Sequence, residues 1–259
     1  MMTKPDNRYA VFLDIDGTLI SDKFIVPKRN LEAIAAARKL GHMVFISTGR
    51  SWGNIPPVLL EQLDVDGIVA GSGAMVTIGG ETVFKASMTK ELSLRLAEYF
   101  WVHPEFWCVF EGLNEVYMIE NEVRRHESFQ TLLSSPQDIE EIYNHDEIQV
   151  LAMGVTAPPD FIRLFSDEIT VFQFERYADC VIKGLNKAKG IEKVLEITGI
   201  RRENTIAIGD SGNDYDMINY AGIGVAMGNS EPKIIEAADF VTDTNYNCGV
   251  AKAIEKFLL

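Results

Sequence analysis

A chain of 259 residues, 47% of them hydrophobic and with a mean hydropathy of +0.02, can bury a full core in one large domain or two smaller ones. Its formal charge of −14 and pI near 4.7 repel phosphate backbones and anionic lipid surfaces. General nucleic-acid and membrane-surface binding are thereby disfavoured, whereas a small phosphorylated molecule beside a local cation is not.

The N-terminal stretch MMTKPDNRYAVFLDID holds no apolar run of signal length, and no run approaches the roughly 18 residues of a membrane span. Cys108, Cys180 and Cys248 are odd in number, far apart and without CxxC spacing, so reduced thiols in a cytoplasmic protein are expected. Tyr9 to Leu13 is the nearly all-apolar run that a parallel sheet buries on both faces. Pro27 opens a helical pattern that reaches Leu40 and stops at Gly41. His42 to Ser47 and Gly67 to Ala70 are further buried-type strands, which predicts a doubly wound α/β sheet. Met75 to Phe84 is a hairpin about Gly79-Gly80.

The pattern then changes. Helix Lys90–Val102 precedes strands Phe106–Glu111 and Val116–Glu120. Helices about Val123–Leu133 and Gln137–Tyr143, strand Glu147–Val155, helix Pro159–Glu168 and strands Thr170–Glu175 and Cys180–Ile182 follow. Adjacent strands of this kind predict an antiparallel α+β module inserted into the first fold. After Gly184 the alternation resumes with helix Lys187–Thr198, strand Thr205–Ile208, a helix from Asn213 and strand Ile223–Ala226. The expected organisation is a split core of residues 1–84 and 184–259 around an insert of 85–183.

In a doubly wound sheet the ligand crevice lies at the carboxyl ends of the strands. Four polar loops are expected there: Asp14-Ile15-Asp16-Gly17-Thr18, Ser47-Thr48-Gly49-Arg50, Gly71-Ser72-Gly73, and Gly209-Asp210-Ser211-Gly212-Asn213-Asp214. At least three carboxylates would converge, which is costly without a cation among them. Oxygen ligands with no paired histidine or cysteine point to a hard cation, with Mg²⁺ the commonest choice. Mg²⁺ neutralises phosphate oxygens, the glycines admit a phosphate to backbone N–H groups, and a carboxylate can attack phosphorus. The bland alternatives are turn chemistry for Asp-Gly-Thr, helix capping for Asp210 and Asp214, a solvated helix face for the lysines, and a structural ion pair for Arg50.

FLDIDGTL, STGR, the lysine of GLNKAKG, and GDSGNDYDM followed by AGIGVAMGNSEPKIIEAADFVT resemble the four motifs of the haloacid dehalogenase superfamily, in order. The insert between the second and third motifs is similar to the class two α/β cap of its Cof-like phosphatases. The resemblance covers about residues 8–84 and 184–259 by specific residues and the insert by position alone. It implies a Rossmann-like core, a phosphatase, and Mg²⁺ held by Asp14, the Asp16 backbone carbonyl, Asp210 and Asp214. It implies Asp14 as nucleophile, Asp16 as general acid and base, and Thr48 and Lys187 on the transferring phosphoryl group. Gly49, Arg50 and Asn213 would support substrate. Spacing to Gly190 favours Lys187 over Lys189.

Two positions depart from the family pattern: Ser72 stands where an Asn is usual, and Cys248 where an Asp is usual. The insert would choose the substrate, with Glu111, Tyr117, Arg124 and Arg125 as candidate contacts set against a solvated face, and Phe106–Phe110 expected to pack the insert's own sheet. The expected activity is hydrolysis of small phosphorylated metabolites, sugar phosphates above all, through an aspartyl-phosphate. A phosphosugar mutase and a non-catalytic metabolite-binding protein of the same fold are the alternatives, and a dehalogenase fits the acids least well.

Overall fold

The computed structural model describes residues 8–21, 24–119 and 129–259. The chain runs β1 (Ala10–Leu13), α1 (Lys28–Lys39), β2 (Met43–Ser47), a short α2 (Pro57–Leu60), β3 (Gly67–Ala70) and the hairpin β4 (Met75–Ile78) and β5 (Glu81–Lys85). It continues through α3 (Lys90–Trp101), β6 (Cys108–Gly112), β7 (Val116–Ile119), β8 (Gln130–Leu133), α4 (Asp138–Ile142), β9 (Ile148–Gly154), α5 (Pro159–Phe165), β10 (Ile169–Gln173) and β11 (Tyr177–Ile182). It ends with α6 (Lys187–Thr198), β12 (Thr205–Gly209), α7 (Tyr215–Tyr220), β13 (Ile223–Ala226), α8 (Pro232–Ala237), β14 (Phe240–Val241) and α9 (Gly249–Leu258).

The first sheet has the order β14-β13-β12-β1-β2-β3-β4-β5. Its neighbouring strands pair in parallel from β14 to β3, while β3–β4 and β4–β5 pair antiparallel and form the edge. Side chains alternate between faces. Val11, Leu13, Val44, Ile46, Ile206 and Ile208 pack against α1 and α9, while Phe12, Phe45 and Ala207 pack against α6, α7 and α8. Covering both faces with helices explains why these strands read as unbroken apolar runs. Leu13 is in register with Ile208 and Ile46, and Ser47 with Val69. β1, β2, β3 and β12 therefore end level on one edge. The strand order reverses between β1 and β12, so the crevice of this fold opens beside the residues that follow them.

The second sheet has the order β10-β11-β9-β6-β7-β8. Helices α3, α4 and α5 cover one face through Leu96, Phe100, Ile139, Phe161 and Phe165. The other face presents Val109, Val116, Met118 and Ala152, with Trp107 against them, toward the first sheet's polar edge. Two predictions are corrected. Residues 130–133 of the expected helix 123–133 form strand β8, and β8 runs parallel to β7, so the sheet is mixed rather than antiparallel. Residues 123–128 of that expected helix lie outside the described residues. The helix expected from Asn213 begins as a tight turn at Gly212 before α7. Helices α8 and α9 and strand β14 extend the alternation past the last predicted strand. No helix among the described residues is long and apolar enough to cross a membrane.

Candidate active site

Asp14 is the first residue past β1, and its backbone N–H still donates to Ile208 O at 3.0 Å, as the strand before it would. The strand thus fixes its position, and only 4% of it is exposed. The turn that follows has a double requirement for glycine. Gly17 adopts φ +82°, and a Cβ there would collide with the Asp210 carboxylate. Thr18 Oγ donates to Asp210 Oδ1 at 2.7 Å. The Asp-Gly-Thr turn is therefore good turn chemistry and at the same time the seat for an acid 192 positions away.

Lys187 opens α6. The helix turns its buried face, Lys187, Gly190, Ile191 and Val194, toward the first sheet, while Lys189 and Lys193 pair with Glu192 and Glu196 on the outside. Gly190 permits the close approach, since a Cβ there would strike Val69 on β3. Lys187 is fully buried and its ammonium donates to Asp14 Oδ1 at 2.6 Å and to Asp214 Oδ1 at 2.5 Å. Asp214 uses its second oxygen for the loop itself, accepting from the N–H groups of Asp210 at 2.9 Å and Ser211 at 3.0 Å. Capping and site chemistry are two ends of one carboxylate.

Carboxylate oxygens of Asp14, Asp210 and Asp214 lie within 4.8 Å of one another. One ammonium among two buried acids and a half-buried third leaves negative charge unbalanced. Burial pushes the Asp14 carboxyl well above the usual range, and repulsion from Asp214 and Asp210 adds to what Lys187 offsets. Asp210 is pushed up to about 7, by burial first and by Asp214 second. For Lys187 burial opposes the charge, but Asp14 and Asp214 outweigh it and hold the ammonium above its ordinary value. An all-oxygen donor set with excess negative charge fits a hard divalent cation held by Asp14, Asp210 and Asp214.

Asp16 stands apart from this group. Its carboxylate accepts a two-pronged bond from Arg50, Nε to Oδ2 at 2.7 Å and Nη2 to Oδ1 at 2.9 Å. Arg50 also donates to Asn54 O at 3.2 Å. Thr48 is buried and its hydroxyl accepts from the Arg50 N–H at 3.1 Å. Asn213, buried in the loop after β12, accepts from the Ser211 hydroxyl at 3.1 Å, and a Cβ on Gly49 would lie 2.8 Å from its amide nitrogen. All of these line one cleft of about 650 Å³ between the two sheets. The two departures from the family pattern, Ser72 and Cys248, both take left-handed φ, +49° and +57°. Ser72 is buried with its hydroxyl unbonded among the described residues.

The candidates from the second sheet fare differently. Tyr117 points away from the cleft, into the helix-covered face, and donates to Asp146 Oδ2 at 2.8 Å. Glu111 does line the cleft, yet it is buried rather than solvated and accepts from the Ser51 N–H at 3.0 Å, tying β6 to the loop after β2. Arg124 and Arg125 lie outside the described residues. The Phe106–Phe110 stretch splits: Cys108 and Phe110 pack the helix side, whereas Trp107 and Val109 face the cleft. Asp179 and Tyr177 of β11 also line it and were not singled out in the sequence. Alternation with the buried Ala178 and Cys180 would have put them there had the strand been started three residues earlier.

The family described as haloacid dehalogenase-like hydrolase matches residues 11–254. The chain belongs to that family. The hydrolase is 30% identical over 266 residues to the 5-amino-6-(5-phospho-D-ribitylamino)uracil phosphatase YcsE of Bacillus subtilis (strain 168), with 96% of this chain and 95% of the relative covered. It is 29% identical over 274 residues to YitU of the same organism, a phosphatase of the same description, with 99% of each covered. A solved sugar phosphatase of haloacid dehalogenase subclass IIB matches it with a TM-score of 0.83 and 30% identity, over 96% of this chain and 98% of the other. The hydrolase is a phosphatase of this fold, and the expected superfamily, core and activity class hold.

Proposed function

We propose that this phosphatase hydrolyses small phosphorylated metabolites, with sugar and sugar-alcohol phosphates as its class, through a phosphorylated Asp14. On this reading residues 1–84 and 184–259 form the catalytic core, and residues 85–183 form a cap that selects substrate and shields the site from water. The observation that carries the proposal is the buried Lys187 ammonium, held between Asp14 and Asp214 beside Asp210. It holds the Asp14 carboxylate in position at the fold's switch point, with one oxygen engaged and one left to attack. The phosphoribityl group in the names of two relatives, and the sugar phosphatase neighbour, support a phosphate on a polyhydroxylated carbon chain.

Asp14 attacks phosphorus, and the bond to the leaving oxygen breaks as Asp16 supplies that oxygen with a proton. Asp16 then takes a proton from water, which attacks phosphorus, releases inorganic phosphate and restores Asp14. Arg50 orients the Asp16 side chain through a two-pronged contact, so the pair has to open for Asp16 to reach the leaving oxygen. The Thr48 hydroxyl, the Gly49 backbone and the Asn213 amide surround the phosphoryl group, and Lys187 offsets its charge. Mg²⁺, which Asp14, Asp210, Asp214 and the Asp16 backbone carbonyl would hold, would supply neutralisation of the phosphoryl oxygens.

The test is phosphate release from a panel of phosphate esters with and without Mg²⁺. Wild-type protein is expected to depend on the metal, and Asp14→Asn to lose at least about a thousandfold in kcat/KM, the scale of losing a nucleophile. Undiminished Mg²⁺-dependent turnover by Asp14→Asn would sink the mechanism. Conversion of one sugar phosphate into a positional isomer without phosphate release would favour a mutase instead.

A further inference from the structure

The cleft's far wall carries an acid with no evident work in phosphoryl transfer. Asp179 lies on β11 beside Ala152 of β9, while its neighbours Ala178 and Cys180 are packed under the cap helices. Its side chain therefore leaves the uncovered face of the sheet and enters the cleft. From the core side, a Cβ placed on Gly49 would come 3.4 Å from Asp179 Oδ2, so the carboxylate overhangs the Thr48-Gly49 loop. Small residues at both positions, Gly49 below and Ala152 alongside, leave the space around it open.

Two acids of the cleft wall differ in how they are satisfied. Glu111 accepts the Ser51 N–H and belongs to the joint between the sheets. The Asp179 carboxylate has no hydrogen-bond donor among the described residues, although a carboxylate can take about four. Burial holds its carboxyl well above the usual range, and Glu111 adds to the effect. Of the described cleft-lining residues, the one cationic side chain is Arg50, whose Nε and Nη2 are on Asp16 and whose Nη1 is on Asn54. A half-buried acid on the cleft wall without a protein partner leaves its acceptor positions to whatever enters the cleft.

Resting on the phosphatase reading, we infer that Asp179 is a specificity-determining residue: it accepts hydrogen bonds from hydroxyl or amino groups on the leaving-group half of the substrate. With Glu111 and Asp16 near it, it also disfavours leaving groups that carry a carboxylate. The stacked pair Phe174 and Tyr177, with centroids 4.5 Å apart, and Trp107 give the same end of the cleft an apolar rim. A polyol with its carbon backbone against the rings and its hydroxyls toward Asp179 matches this surface.

The experiment compares kcat/KM for ribitol 5-phosphate, n-pentyl phosphate and phosphoglycolate in wild-type and Asp179→Asn protein, with Tm measured for both. Wild type is expected to prefer ribitol 5-phosphate over the pentyl ester. Asp179→Asn should reduce that preference by about tenfold to a hundredfold, the range for a hydrogen bond to a charged group. The same change should improve phosphoglycolate relative to ribitol 5-phosphate, and Tm should stay level because the half-buried Asp179 carboxylate has no protein partner to lose. A preference unchanged within about twofold overturns the assignment, as does an equal loss on all three esters together with a lower Tm, the pattern of a structural role. Asp14→Asn, run alongside, separates the failures. Phosphate release persisting there sinks the phosphoenzyme reading, whereas a silent Asp14→Asn with an unmoved Asp179→Asn preference sinks the Asp179 assignment alone. If wild type hydrolyses none of the three, the polyol reading and the Asp179 assignment both fall.

Discussion

Lys187 serves two acids with one ammonium, and its removal has an asymmetric cost. Lys187→Met would fill similar volume but leave Asp14 and Asp214 facing each other in a dry site. Breaking a buried charge pair from one side costs about 3–5 kcal/mol, so a lower denaturation midpoint is expected together with loss of turnover. Addition of Mg²⁺ should recover part of that stability and none of the activity. Calorimetry with and without the metal checks this, and an unshifted midpoint would mean that Lys187 does not neutralise the acids. Lys187 was legible in the sequence through the GLNKAKG motif and its spacing to Gly190, which set it apart from Lys189. Asp179 was not, because the expected strand begins only at Cys180, which leaves the acid outside the alternation that points it into the cleft. Its meaning comes from a loop 130 positions earlier that no local pattern connects to it.

At the scale of elements, the approach of α6 to β3 sets where that lysine arrives. Gly190→Ala would drive a methyl into Val69, an overpacking that costs about 1–3 kcal/mol. Because α6 carries Lys187 one turn away, kcat should fall as well. Val69→Ala combined with Gly190→Ala should recover more than the single effects predict, since the two side chains contest one space; simple additivity of the two changes in stability and kcat would refute the contact. The same scale explains what the sequence concealed. The core strands are buried on both faces and announce themselves as apolar runs. β8 is a four-residue edge strand whose Thr131 and Leu132 are exposed, and Leu132-Leu133 alone fits a helix as well as a strand. Its parallel pairing with β7 needs a crossover, which neither segment encodes.

For the whole molecule, two sheets meet across an acidic cleft, and a cation bound there would stabilise the folded state by mass action. At a Mg²⁺ concentration a hundredfold above its Kd the gain is about 2.7 kcal/mol. The thermal midpoint should therefore rise with Mg²⁺ in wild type and respond far less in Asp210→Asn, whose loop keeps its Asp214 bonds to backbone N–H groups. Equal responses in the two proteins would remove Asp210 from the cation site. The superfamily motifs made the core half of this cleft readable, because strand ends and polar loops coincide there. The cap half was legible as strands and helices but not as chemistry, since its cleft face is set by which side of each strand turns inward.

β1 lies between β2 and β12, and its second neighbour is encoded almost two hundred residues after it. As the chain leaves the ribosome, residues 10–13 therefore wait with one flank unpaired while the entire second sheet is made. The acid at the end of that strand has neither its lysine nor the loop that seats beside it until the last third of the protein emerges. The acidic end of the cleft is thus a late product of synthesis: an interrupted translation yields a chain that holds Asp14 and the whole second sheet and lacks Lys187, Asp210 and Asp214.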